Sequence, residues 1–151
     1  MKVSLEIDQE YEQTKIIIQC QELDDSVQEI LDFVKNREKE FIVGKDGEMQ
    51  HILKPEDIHY FRTEEDSVIA ITANGSYKLK EKLYELEKIL PSNRFVRLSK
   101  SVIANLYELS HFEPSFNGTL CVYFKSGAKD YVTRHYVGKI REALKMNRRK
   151  D

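Results

Sequence analysis

Val68-Ile69-Ala70-Ile71-Thr72-Ala73-Asn74-Gly75-Ser76-Tyr77-Lys78 is a β-branched apolar run, an Asn-Gly pair and a second short run. Val, Ile and Thr suit the pleated surface of a strand, and Asn-Gly suits the positive φ angles of a tight turn. The stretch reads as an antiparallel hairpin. The same grammar recurs around Asp46-Gly47, Asn117-Gly118 and Ser126-Gly127, each lying between apolar runs. Strands are therefore expected at 41–43 and 49–53, 68–72 and 76–78, and at 111–112, 120–124 and 131–133, with two more at 58–61 and 95–98. Long crossovers are absent from this pattern, which argues against a doubly wound nucleotide-binding fold. Two helices are expected to interrupt the strands. Leu79, Leu83, Leu86 and Leu90 mark one, ended by Pro91, and Val137, Ile140, Ala143 and Leu144 mark the other. The basic tail Asn147-Arg148-Arg149-Lys150 is expected to fray.

Outward from this β-rich part, the first forty residues read as a unit of their own. Val3, Leu5 and Ile7 alternate with Lys2, Ser4 and Glu6, and Lys15-Ile16-Ile17-Ile18-Gln19 is a second β-rich run, so two strands are expected. The period then changes. Val27, Ile30, Leu31 and Val34 fall at i, i+3, i+4 and i+7 behind Asp24-Asp25-Ser26, the pattern of an amphipathic helix with N-cap candidates, closed by the charged stretch 35–40. The expected organisation is a strand-strand-helix extension over 1–40, serving dimerisation or regulation, and a mostly β domain over 41–148.

The chain has 151 residues, 40% hydrophobic and 33% charged, with 8 Tyr and 7 Phe for a core. That composition belongs to an ordered globular chain and excludes wholesale disorder. No apolar run approaches the length of a membrane helix, and the start turns acidic where a signal peptide turns apolar, so the cytoplasm is the expected compartment. Cys20 and Cys121 lie in apolar surroundings without zinc spacing and read as buried thiols. The net charge of -2 conceals an asymmetry. Residues 94–151 carry 12 Lys/Arg against 5 Asp/Glu, a net +7, and residues 1–93 carry a net -9. A basic half attached to an acidic one can hold a polyanion locally while limiting non-specific adhesion.

Catalytic parts are missing from the sequence. It contains no GxGxxG, P-loop, GxSxG, HExxH or CxxC, and His51, His59, His111 and His135 are scattered without ligand spacing. Neither an enzyme, a metal, a cofactor nor a small-molecule substrate is expected. The acidic Glu64-Glu65-Asp66 reads as a solvated turn.

Nucleic-acid chemistry has more to work with. In Arg94-Phe95-Val96-Arg97-Leu98-Ser99-Lys100-Ser101, strand alternation sends Phe95 and Val96 to opposite sides and gathers Arg97, Ser99 and Lys100 near a turn. Such groups contact phosphate, and a Lys at a loop tip can donate to guanine O6 and N7. A second cluster, Thr133-Arg134-His135-Tyr136, sits where a strand gives way to the last helix. Free N–H groups and the macrodipole make that junction a plausible anion site, with capping by Thr133 as its bland alternative.

The run FVRLSKSVIANLYEL, followed by a hairpin and by YVTRHYVGKIREAL, resembles the LytTR family of bacterial DNA-binding domains. PEDIHYFRTEEDSVIAIT and LKEKLYELEKILP resemble that family's opening strands and helix, so the likeness runs from about Phe41 to Leu144. It implies a mostly β, α+β fold of roughly ten antiparallel strands with two to three helices, whose loops enter successive DNA grooves. It also implies a sequence-specific, duplex-DNA-binding transcriptional regulator. The family's DNA-facing positions fall on Lys100, with Arg97 and Ser99 as backbone contacts beside it, Arg97 having the alternative of bracing the loop. They fall also on His135, where many relatives have Arg, and on Arg134 before it. Neutral imidazole lacks the bidentate fork of Arg, so base preference or affinity at that contact is expected to differ from those relatives. The loop between the second pair of strands contributes Asp66 or Ser67.

Forty residues cannot hold the phosphoryl-accepting receiver that often precedes such domains, so the chain resembles the short stand-alone regulators of the family. The implied partners are promoter DNA with repeated half-sites, a second copy of the chain on that DNA, and a membrane-bound inhibitor protein. Two other readings fit the sequence. One is a protein-interaction module whose basic C-terminal half docks an acidic partner. The other is single-strand binding on a β-face through Tyr107, Phe112 and Phe116, rings whose commoner role is core or turn packing.

Overall fold

The computed structural model describes residues 1–36 and 41–146. The end of the expected first-helix cap, 37–40, and the basic tail, 147–150, lie outside those residues. The elements run in the order α1 (Asp25–Asn36), β1 (Ile42–Asp46), β2 (Met49–Leu53), β3 (Ile58–Glu64), β4 (Ser67–Thr72), β5 (Gly75–Leu79), α2 (Leu83–Ile89), β6 (Phe95–Ser99), β7 (Val102–Asn105), β8 (Leu109–Pro114), β9 (Leu120–Phe124), β10 (Lys129–Val132) and α3 (Arg134–Met146). All strand pairs are antiparallel. Seven strands form one sheet in the order β2-β1-β5-β4-β3-β7-β6, and three form a second in the order β10-β9-β8. The hairpin expected over 68–78 is β4–β5, with Thr72 paired to Gly75 across a two-residue turn. None of the helices among the described residues is long and apolar enough to cross a membrane.

Two cores follow from strand alternation. On one face of the large sheet, Ile42, Phe61, Val68, Ala70, Phe95 and Ile103 pack with Leu83, Leu86 and Leu90 of the α2 region. On the other, Val96, Leu98, Val102 and Ala104 pack with Leu120, Val122 and Phe124 of β9, Val132 of β10 and Ile140 of α3. β7 serves both cores, with Ile103 in the first and its neighbours Val102 and Ala104 in the second. Phe95 and Val96 divide between the cores as strand alternation requires. Full burial of a side chain such as Leu86 or Ile140 is worth roughly 1.5–3 kcal/mol, so each core supports its own helix.

Three expectations need correction. Residues 1–24 form no strand, and Val3, Leu5, Ile7, Ile16 and Ile17 are exposed. A lone pair of short strands is marginal in water, and here no sheet edge accepts it. The extension keeps only its helix, which Asp24 caps by accepting from the Val27 N–H at 3.0 Å. The half-buried face of α1 is the expected Val27, Ile30, Leu31 and Val34, and α1 lies beside α2. Leu79 ends β5 instead of opening a helix, because its partner Val68 draws it into the sheet. Cys20, expected to be buried with the second strand, is exposed; Cys121 is buried in β9.

Candidate nucleic-acid interface

Lys100 and Ser101 form the two-residue turn between β6 and β7, closed by the Ser99–Val102 pair. Arg97 shapes this turn from below. Its Nε donates to the Ser99 carbonyl at 2.7 Å, one Nη donates to the Lys100 carbonyl at 2.8 Å, and the other meets Glu87 Oε1 of α2 at 2.7 Å. The Ser99 hydroxyl accepts from the Ser101 N–H at 3.1 Å. Arg97 and Ser99 are half-buried and Lys100 is exposed. Of the two roles expected for Arg97, the structure contains the bracing one. The planar fork of guanidinium allows three partners at once, which an ammonium on a flexible stem does not match.

The junction of β10 with α3 sits next to this turn. The Thr133 N–H donates to the Leu98 carbonyl of β6 at 3.0 Å, and the Tyr136 N–H donates to the Thr133 carbonyl at 2.9 Å as α3 begins. Arg134 and His135 are exposed there. The His135 ring stands edge-on to Tyr136 at 4.8 Å, and Lys139 Nζ lies 5.5 Å from the Tyr136 ring. Hydroxyl, guanidinium and imidazole thus occupy the start of a thirteen-residue helix, where N–H groups point outward and negative charge is favoured.

The third segment is the β3–β4 turn, Glu65-Asp66, between the paired residues Glu64 and Ser67. It is tied to the Lys100 turn by the Thr63 N–H, which donates to the Ser101 carbonyl at 2.9 Å. Asp66 is exposed and Ser67 is half-buried. Two cations offset the acidity of this turn. Arg62 pairs with Glu64 at 3.2 Å, and Lys82 Nζ donates to the Asp66 carbonyl at 2.8 Å. Lys82 was invisible as a site residue in sequence, because only the folded chain returns the start of α2 to a turn sixteen residues earlier. The structure therefore brings the Lys100 turn, the Arg134-His135 junction and the Asp66-Ser67 turn to one end of the molecule. In the small sheet, the Tyr123 hydroxyl donates to Glu113 Oε1 at 2.6 Å, and this bond raises the Tyr123 pKa above the ordinary phenol value.

Residues 48–145 match the LytTr DNA-binding domain family. The chain belongs to that family. The resemblance carried by the FVRLSKSVIANLYEL and YVTRHYVGKIREAL blocks is borne out, as is the mostly antiparallel fold. The LytTr chain is 36% identical over 145 residues to an uncharacterized HTH-type transcriptional regulator of Staphylococcus aureus strain NCTC 8325 / PS 47, covering 95% of this chain and 98% of that one. A counterpart in strain MRSA252 is 35% identical over the same coverage. These matches extend into the N-terminal extension, ahead of the family match. Among solved structures, the LytTr DNA-binding domain of a Bacillus cereus protein superposes with a TM-score of 0.67 at 19% identity, covering 70% of this chain and 96% of that one. It has the same fold.

Proposed function

We propose that this LytTr chain is a sequence-specific, duplex-DNA-binding transcription regulator that meets DNA with the end where the three segments converge. The observation that carries this reading is the pair of backbone bonds, Thr133 to Leu98 and Thr63 to Ser101, which hold those segments together. Lys100, at a turn tip, donates to a base edge, and Arg134 neutralises phosphate beside the outward N–H groups of α3. His135 makes one or two hydrogen bonds to a base or the backbone. Ser99 and Arg97 keep the Lys100 turn in shape at the phosphate backbone. The third turn contributes Asp66, a carboxylate that accepts from cytosine N4, and Ser67. Phosphate neutralisation by the basic half supplies the sequence-independent part of the affinity.

Two copies bind repeated half-sites in promoter DNA. Residues 41–148 form the DNA-binding domain, and the extension over 1–40 is a pairing or regulatory unit, supported by the exposed Val3, Leu5 and Ile7. The compartment is the cytoplasm, and a membrane-bound inhibitor protein fits the regulatory role of the extension. The alternative, an acidic protein partner for the basic half, has no observation in its favour.

Fluorescence anisotropy on tiled duplexes from upstream of the chain's own operon, with random duplex as competitor at two salt concentrations, tests the reading. One tile bound at least ~100-fold more tightly than random DNA, with affinity falling as salt rises, is the expected result. Equal binding to every tile, retained at high salt, overturns it.

A further inference from the structure

Phe116 is 85% exposed, more than any other aromatic side chain among the described residues. A bare phenyl ring in water forgoes the stabilisation of roughly 1.5–3 kcal/mol that burial gives. Yet the loop that carries it, between β8 and β9, is firmly built. The Ser115 N–H donates to the Thr119 carbonyl at 2.9 Å, and both the N–H and the hydroxyl of Thr119 donate to the Phe116 carbonyl, at 3.1 and 2.7 Å. Asn117 and Gly118 follow in left-handed conformation, with φ of 55° and 76°. The loop presents the ring and does not bury it. The ring lines a shallow hollow together with Glu113, Tyr123, Lys129 and Tyr131.

The ladder fixes where this loop lies. Leu120 pairs with Pro114 on one side and Val132 on the other, so the loop and the residues leading into α3 leave the small sheet at the same end. The Gly118 backbone rests against the stem of Arg134, close enough that a Cβ on Gly118 would sit 3.3 Å from Arg134 Cδ. The β8–β9 loop is thus a fourth segment at the end that carries Lys100, Arg134 and His135.

We propose that Phe116 is a further DNA-contacting residue, whose ring enters a groove of the bound duplex beside the Arg134 phosphate contact and packs on base edges, thymine methyl groups above all. The inference rests on the DNA-binding reading above and extends it to a side chain that reads by shape and apolar contact. Phe is among the residues suited to the thymine methyl group, and such contacts discriminate sequence without neutralising phosphate.

The test uses the full chain and a duplex enriched by it from a randomised pool, with a random-sequence duplex as control. Phe116→Ala lowers affinity for the enriched duplex by about tenfold and leaves the salt dependence unchanged, because no phosphate contact is lost. Replacing thymine by uracil in the enriched duplex removes only methyl groups; it weakens the wild-type chain and leaves Phe116→Ala unaffected. The sequence contains no tryptophan, so Phe116→Trp introduces a single reporter, whose emission is quenched by the enriched duplex. Thermal unfolding of Phe116→Ala matches the wild type, since the ring belongs to neither core. Wild-type affinity in Phe116→Ala, with Phe116→Trp emission indifferent to DNA, overturns the assignment of Phe116 alone. Failure of the wild-type chain to enrich any duplex overturns the DNA-binding reading itself.

Discussion

The backbone N–H of Thr133 donates to the carbonyl of Leu98 at 3.0 Å, joining the start of α3 to β6, whose turn begins two residues later at Lys100. The spacing of Lys100 from Arg134 and His135 is therefore set by main chain and not by the side chains themselves. A recognition surface built of loops gains from such a tie, because small misplacements of contacting groups forfeit their hydrogen bonds. Substitution of the side chains proposed to contact DNA should change binding while leaving the fold intact.

Lys100→Ala provides the first case. Lys100 is exposed and its side chain belongs to neither core. Loss of a base contact costs ~1–3 kcal/mol on the specific duplex and little on random DNA, whereas loss of a phosphate contact alone weakens all sequences and flattens the salt slope. The expected outcome is the former. His135→Ala is expected to cost less, since imidazole has fewer hydrogen bonds to lose. Anisotropy at two salt concentrations measures both, and unchanged binding of Lys100→Ala on every duplex would remove it from the interface.

Arg97→Lys keeps the charge and loses the fork. Lysine cannot reach Ser99, Lys100 and Glu87 together, so the turn loses at least two of three bonds. The expected loss of stability is about 1–2 kcal/mol, read from urea unfolding. Specific binding should weaken with the salt slope unchanged. A variant as stable and as tightly bound as the wild type would deny the brace any role.

The hairpins were legible because turn residues and β-branched runs are local signals, and β1–β2, β4–β5, β8–β9 and β9–β10 fall around the four expected turns. Val102-Ile103-Ala104-Asn105 gave no comparable signal. All four residues are buried, so β7 lacks the alternation that marks a strand with one wet face. The opposite error occurred at Val3, Leu5 and Ile7, where alternation is present and a pairing strand is not. Lys100, Arg134 and His135 could be named from family-like blocks. Their convergence with the Asp66 turn depends on pairings such as Tyr60–Ala104, between residues forty-four apart, which no local pattern encodes.

Glu65 occupies the left-handed region with φ of 56° in the β3–β4 turn. Side chains with a Cβ are disfavoured there by roughly 1–2 kcal/mol, and glycine is not, although its greater freedom in the unfolded chain offsets part of the gain. Glu65→Gly is expected to raise stability by about 0.5–1 kcal/mol. If the turn meets DNA as proposed, removing one carboxylate from it should also tighten binding, most at low salt. Unfolding curves and anisotropy check the two effects separately.

Asn105 is fully buried. Its amide donates to the Ile58 carbonyl at 2.9 Å, and its Oδ1 accepts from the Tyr107 N–H at 3.1 Å, joining the start of β3 to the turn after β7. Asn105→Ala strands both backbone groups without their partner. The expected cost is ~2–4 kcal/mol, which for a domain of this size lowers Tm by roughly 6–18 °C. Calorimetry showing a drop of only a degree or two would mean that water or neighbouring groups replace both bonds.

Gly44 shows why one strand residue has no side chain. In β1 its backbone passes over the first core, and an added Cβ would lie 2.6 Å from Tyr77 Cβ and 3.0 Å from Leu53 Cδ1. Tyr77 Cβ is fixed to its own backbone in β5, so the clash cannot be relieved by rotating a side-chain end. Separation of β1 from β5 is the remaining response, and β1 reaches the rest of the sheet through the single register pair Lys45–Lys78. Gly44→Ala is therefore expected to destabilise the domain by about 1–3 kcal/mol, as overpacking of a filled core does. Hydrogen exchange should show the loss concentrated in β1 and β2, with β6, β7 and α3 protected as before. Uniform loss of protection across both sheets would mean instead that the β1–β2 hairpin unfolds only with the whole domain.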